Sequence, residues 1–241
     1  AVMGNTATFL GTVLTGVCKV FDFTVGSTGF SEAGARAAGY PDAVSALSAG
    51  PDKPHYMAGA LLITRLVAEP GTGLLLGMQC IGPGDASKRI AAAAMALQGR
   101  LTVHDLVNAD LPYAPPYSPA IDPLIVAAHT LENKMLGVFD GISSVELKRR
   151  LDAGDKPFLL DVRGPDEFEQ MRLGVGETLI PLGALRKRVG ELPQDKSAEI
   201  VCYCKISLRG YEAARFLMGN GWTNVKVLEG GLAAWPYPRE K

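Results

Sequence analysis

The sequence predicts two domains of different build. The first, residues 1–137, is an α+β domain with an antiparallel sheet and helices. The second, residues 143–241, is an α/β domain with a parallel sheet and helices on both faces, and 138–142 link them. Three observations lead there. A chain of 241 residues can bury two modest cores. The Ala-, Gly- and Pro-rich first half pairs two apolar runs around a Pro-Gly turn, which is hairpin chemistry. From residue 143 onward strands and helices alternate, the pattern of a parallel sheet with crossover helices.

Each element has its own signal. "GVCKVFDFTVGSTG" is β-branched and aromatic and stops at glycine, so it reads as a strand. "SEAGARAAGY" reads as a short helix capped by Ser31 and ended by Gly39. "ALLITRLVAEPGTGLLLGMQCIGPG" is the hairpin, turning at Pro70-Gly71-Thr72-Gly73. "DASKRIAAAAMALQGR" is a helix with Asp85 or Ser87 as cap and Gly99 as stop. "TVHDLVNAD" gives a helical turn or two, and the prolines of "LPYAPPYSPAIDP" keep that segment extended. "DPLIVAAHTLENKML" is the last helix of the half, with Pro123 tolerated in its first turn.

In the second half, Ser143 or Ser144 caps an amphipathic helix. "PFLLDVR", "TLIPL", "AEIVCYC" and "NVKVLEGG" read as strands. "GPDEFEQM", "LGALRKRVGEL" and "LRGYEAARFLMGNG" read as the helices between and after them. The chain opens in apolar, strand-like sequence with no cap to start a domain, so the expectation is a piece of a longer protein.

Charge is nearly balanced, 24 Lys and Arg against 25 Asp and Glu, and spread along the chain. No basic face for nucleic acid and no basic amphipathic helix for a membrane is evident. The longest apolar stretches fall well short of the ~20 residues that span a bilayer. Cys18, Cys80, Cys202 and Cys204 are too sparse for a secreted disulfide scaffold and suit a reducing, cytoplasmic setting. His55, His104 and His129 are scattered, and no metal site is expected.

Chemistry concentrates in "EIVCYCKISLRGYEAARFL". Ligands gather at the carboxyl ends of parallel strands, and Cys204 ends the most apolar strand just before a helix. A turn there aims backbone N–H groups inward, and the helix N-terminus adds partial positive charge. This is the setting in which a cysteine works as a nucleophilic thiolate. Lys205 and Arg209 add charge, so the expected substrates are anionic: thiosulfate, polysulfide or a persulfide. Arg209 is read equally as a brace for the turn, with Asp161, Glu167 or Glu212 as its carboxylate. Asp161 and Arg163 read as architectural. Cys202 reads as a buried strand cysteine rather than half of a metal or redox pair.

"CKISLRG", with "FLLDVRGPDEF" before it and "VKVLEGGLAAWP" after it, strongly resembles a rhodanese domain, from about Gly141 to the C-terminus. The resemblance implies that Cys204 carries sulfane sulfur as a persulfide. It implies too that Lys205, Ile206, Ser207, Leu208, Arg209 and Gly210 form the anion-binding loop. Ile206 stands where such loops often have a small residue, and "MRLGVGETLIP" lacks the family's usual Gly-His-Ile. Cysteine-dependent phosphatases, the nearest rival, place one more residue between cysteine and arginine, a roomier cradle for phosphate; arsenate reductase activity is the related alternative. The other alternative is an inert docking module of rhodanese shape.

The first half resembles the dimerisation domain of pyridine nucleotide-disulfide oxidoreductases, in the branch of NADH oxidases and coenzyme A-disulfide reductases. "GTVLTGVCKVFDFTVGSTGFSEAGARAAGY", "GLLLGMQCIGPGDASKRI" and above all "DLPYAPPYSPAIDPL" carry the likeness, over residues 4–137. It implies a homodimer and a parent coenzyme A-disulfide or persulfide reductase that uses FAD and NAD(P)H. Tyr56 and Tyr113 then correspond to tyrosines that reach coenzyme A. No Gly-rich nucleotide fingerprint lies in this sequence, since "GTGLLLG" has the wrong spacing and sits in a hairpin turn. No cofactor is therefore expected on this chain alone. The expected partners are small sulfur compounds, coenzyme A persulfide among them, and a second copy of the protein.

Overall fold

The structure is a computed structural model, and it describes Phe9 and residues 11–241. The strand-like reading of the opening residues lies mostly outside the described residues.

The first domain is a five-stranded antiparallel sheet in the order β1-β2-β5-β4-β3. Its strands are β1 (Gly16–Val20), β2 (Phe23–Gly29), β3 (Val44–Pro51), β4 (Leu61–Ala68) and β5 (Leu75–Gly82). Its helices are α1 (Glu32–Ala37), α2 (Ala86–Gln98), α3 (Val103–Val107) and α4 (Pro123–Met135). Alternate residues of β4 and β5, among them Leu62, Leu66 and Met78, bury against Ile90 and Ala93 of α2 and against Leu124 and Leu131 of α4. Ser31 caps α1 as the sequence indicates, accepting from Gly34 N–H, and of Asp85 and Ser87 it is Asp85 that caps α2, accepting from Lys88 N–H. Asp122, not singled out in the sequence, caps α4 by accepting from Leu124 N–H.

Two readings change here. The single strand of "GVCKVFDFTVGSTG" is a hairpin, β1 and β2, turning at Phe21-Asp22, where Phe21 takes φ +50° without any glycine. β3, "VSALSAGP", was not expected as a strand. Its Ser and Ala residues lack β-branched character, and its place is fixed by pairing along all of β4.

The second domain is a parallel sheet in the order β6-β10-β9-β7-β8. It comprises β6 (Gly141–Ile142), α5 (Ser144–Asp152), β7 (Phe158–Asp161), α6 (Pro165–Gln170) and β8 (Thr178–Leu179). α7 (Leu182–Leu185), β9 (Ile200–Tyr203), α8 (Leu208–Gly219) and β10 (Val225–Leu228) complete it. β6 lies in the stretch read as a linker, whose end thus joins the sheet through β10. The helix read over "LGALRKRVGEL" is only α7 and a separate 3₁₀ turn at Val189–Glu191. Its Arg-Lys-Arg run has no apolar face to hold it down.

Both faces of this sheet are covered. Cys202 and Cys204 point to one side, with Leu160, Val227 and the α8 residues Ala213 and Leu217. Val201 and Tyr203 point to the other, with Leu147 of α5 and Trp235. That alternation is the two-residue period of a strand. It puts Cys204 at the carboxyl end of the central strand, on the α8 side.

Candidate functional site: the Cys204 loop

The chain between β9 and α8 makes one turn, Cys204 to Ser207, and its geometry follows from a few contacts. Gly210, in the first turn of α8, lies against β9: a Cβ there would come within 3.2 Å of the Tyr203 Cα. This close approach draws the helix N-terminus over the strand end. Ser207 holds φ +81°, a region costly for an L-residue, and its Oγ donates to Leu228 O at 3.0 Å. The bond ties the strained corner to the neighbouring strand.

The back of the loop is bonded. Leu232 N–H donates to Cys204 O and Ala233 N–H to Lys205 O, both at 2.9 Å. The carbonyl and N–H of a trans peptide point in opposite directions. With the two carbonyls held to the rear, the N–H groups of Lys205 and Ile206 face forward. Among the described residues, the six backbone N–H groups from Lys205 to Gly210 have no hydrogen-bond partner. Free amides in a row at a helix N-terminus form an anion-binding concavity.

Cys204 itself is buried, 1% exposed. Cys202, two residues back, is wholly buried, and desolvation pushes its thiol well up, away from ionisation. Lys205 is exposed at the rim.

Of the three carboxylates proposed for Arg209, the structure selects Glu167 at the start of α6. The pair is bidentate, at 2.7 and 2.8 Å. Arg209 holds the Glu167 carboxyl at about 2, and burial only partly opposes it. The guanidinium is raised in turn, first by Glu167 and in smaller part by Cys204. Arg209 thus joins the cysteine loop to α6. Asp161 and Arg163 form a separate buried pair at 2.6 Å, and Arg163 also donates to Met171 O, which is architecture.

The loop also faces the first domain. An apolar cleft of about 400 Å³ runs between them, lined by Leu47, Pro51 and Val126 on one side and by Ile206, Leu208 and Tyr211 on the other. Beside it, Glu229 of the second domain is 3% exposed and takes both its partners from the first: Lys134 Nζ at 2.6 Å and Leu47 N–H at 3.1 Å. Sequence reasoning missed this pair, which joins residues 95 positions apart. Tyr56 and Tyr113 lie on exposed segments of the first domain, and no hydrogen bond joins either hydroxyl to the Cys204 loop. Among the described residues no group of three or more His, Cys, Asp or Glu could hold a metal. No helix there is long and apolar enough to cross a membrane.

A thiol at the carboxyl end of the central parallel strand, under a row of free amides, is an arrangement with the chemistry to hold a small anion beside a cysteine sulfur. In family comparison, residues 143–236 match the rhodanese-like domain, and residues 15–125 match the pyridine nucleotide-disulphide oxidoreductase dimerisation domain. The chain belongs to the rhodanese family through its second domain, joined to an oxidoreductase dimerisation domain.

A sulfurtransferase of Allochromatium vinosum is 34% identical over 94 residues, 39% of this chain and 85% of that protein. The NAD(P)H coenzyme A polysulfide/persulfide reductase of Pyrococcus horikoshii is 38% identical over 132 residues, 54% of this chain and 29% of that protein. The solved NAD-dependent persulfide reductase from A. fulgidus superposes with a TM-score of 0.87 at 39% identity. That match covers 97% of this chain and 41% of that one. The chain therefore spans well under half the length of the reductases it matches.

Proposed function

We propose that this chain is a sulfur-carrying module, with Cys204 as the carrier, and that it forms the C-terminal part of a coenzyme A-disulfide, persulfide or polysulfide reductase. The observation that carries the reading is the buried Cys204 thiol under six unpartnered N–H groups. In the first half-reaction the Cys204 thiolate attacks the outer sulfur of thiosulfate. The S–S bond breaks, sulfite leaves with the electron pair, and Cys204 keeps the sulfur as a persulfide. The loop amides, with Lys205 at the rim, hold the anionic end of the donor and then the persulfide charge. In the second half-reaction an acceptor thiolate attacks the terminal sulfur, taking it as its own persulfide and freeing Cys204.

On this reading the first domain joins two copies of the protein, and Tyr56 and Tyr113 contact coenzyme A there. The whole reductase supplies FAD and NAD(P)H chemistry from outside this chain, whose own residues bind and move sulfur. Four free cysteines suit a reducing, cytoplasmic compartment.

The test is intact mass after incubating the reduced protein with thiosulfate or polysulfide. Wild type should gain about 32 Da on the reactive thiolate, removable by added thiol, while Cys204→Ser gains nothing. Absence of an adduct with every sulfane donor would favour a docking module that carries no sulfur.

A further inference from the structure

The two bonds that turn the Lys205 and Ile206 N–H groups forward come from Leu232 and Ala233, just beyond the glycines at 230 and 231. That turn is tightly constrained. Both glycines have positive φ, +72° and +57°. A Cβ on Gly231 would lie 2.4 Å from Cys204 O, and one on Gly230 would lie 2.3 Å from Leu47 Cδ2 of the first domain. Glu229 enters the turn, and its carboxylate is bonded entirely to the first domain. Oε1 accepts from Lys134 Nζ and Oε2 from Leu47 N–H, while Lys134 Nζ also donates to Ser45 O at 2.8 Å. Lys134 stands in the last turn of α4, where a cation also meets the helix's negative end. The chain of contacts runs from α4 through Glu229 and the Gly-Gly turn to the carbonyls behind the cysteine.

We infer that Lys134 of the dimerisation domain is a positioning residue for the Cys204 loop, acting through Glu229 to aim the Lys205 and Ile206 N–H groups into the anion cradle. The inference rests on the sulfur-carrying reading for its biological meaning, but its physical content is the cradle's preference for anions. Removing the ammonium leaves Glu229 buried with one partner, and that carboxylate turns toward water and draws the Gly-Gly turn with it. Two of the six amides then lose their aim, while the Cys204 side chain stays on its strand.

Paired alkylating agents of one chemistry and different charge test this on the full chain. Iodoacetate is an anion and iodoacetamide is neutral, and peptide mapping reads their rates at Cys204 alone. Lys134→Met should lower the iodoacetate rate about tenfold relative to iodoacetamide, as expected when oriented N–H donors are lost. Lys134→Arg should restore the ratio to within about twofold, because it again supplies a charged donor. Glu229→Gln should fall in the same direction, and it carries the test if Lys134→Met does not fold. An unchanged ratio in Lys134→Met and Glu229→Gln overturns the inference. So does an equal fall in both rates, the mark of general loosening. The readout needs no sulfur transfer: if the ratio responds while thiosulfate leaves no adduct on wild type, the aiming role stands and the sulfur-carrying reading fails.

Discussion

The two sheets are alike in size, five strands each, yet only the second sets a cysteine at its strand ends under a row of free amides. In the antiparallel sheet neighbouring strands run opposite ways, so no edge collects strand ends of one polarity. Its interior is spent on packing, with Leu62, Leu66 and Met78 under α2 and α4. In the parallel sheet every strand ends on the same side, and each crossover helix begins there. Cys204, the amides of α8 and the Gly-Gly turn after β10 meet at that edge because chain direction brings them there. Strand polarity, more than residue chemistry, separates the buried Cys80 of the first sheet from Cys204 of the second.

Paired substitutions can break this contrast. The largest effect should come from Gly231→Ala. Its Cβ would press on Cys204 O and its φ is +57°, so sulfur loading should fall about a hundredfold. The matching change in the first domain, Gly39→Ala, is also at positive φ but meets nothing within 4 Å, and loading should be unaffected. Equal loading by both variants would show that the turn behind the cysteine has no part in the chemistry.

Next comes Leu66→Ala in the core of the antiparallel sheet, fully buried. It should cost about 3 kcal/mol by denaturant unfolding and leave the loading rate of the folded protein unchanged. Loss of loading in step with stability would mean that the two domains do not divide the work as their sheets suggest.

The smallest effect concerns the Arg209–Glu167 brace. The Glu167 carboxyl ionises at about 2 in the folded chain against an ordinary 4.5, so its contribution is present above pH 4.5 and is lost as pH falls toward 2. Both side chains are about a third exposed. Solvent screening therefore limits the contribution to under ~1 kcal/mol. The stability difference between wild type and Glu167→Gln should shrink across that window, and a difference independent of pH would remove the brace from the account.

Local chemistry was legible in the sequence wherever the cause is local. Ser31 caps its helix as the sequence indicates, and Asp85 and Ser143 prove to be the caps among the two candidates each helix offers, because a cap and its N–H groups lie within three residues of each other. The strand-end place of Cys204 was legible for a similar reason: strand, cysteine and helix are contiguous. What escaped depends on distant partners. β3 is a strand because β4 pairs with it, and the β1–β2 hairpin puts Phe21 at φ +50°, where no glycine signals a turn. Glu167 was one of three carboxylates that spacing could not separate. The forward aim of the Lys205 and Ile206 amides is decided by residues 232 and 233, and the Lys134–Glu229 pair crosses between domains.

The pairing of Cys202 and Cys204 on one strand face has a last consequence, for how the loop can be unloaded. Residues two apart along a strand are separated by about 6.6 Å, whereas a disulfide needs Cβ atoms near 3.8 Å. Cys202 therefore cannot act as a resolving thiol toward its neighbour, and the second domain has no other cysteine. On the proposed reading, sulfur loaded on Cys204 would then find no second thiol within its own domain to take it. It would wait for a visiting thiol, and its lifetime would follow the concentration and reach of that thiol rather than an internal clock.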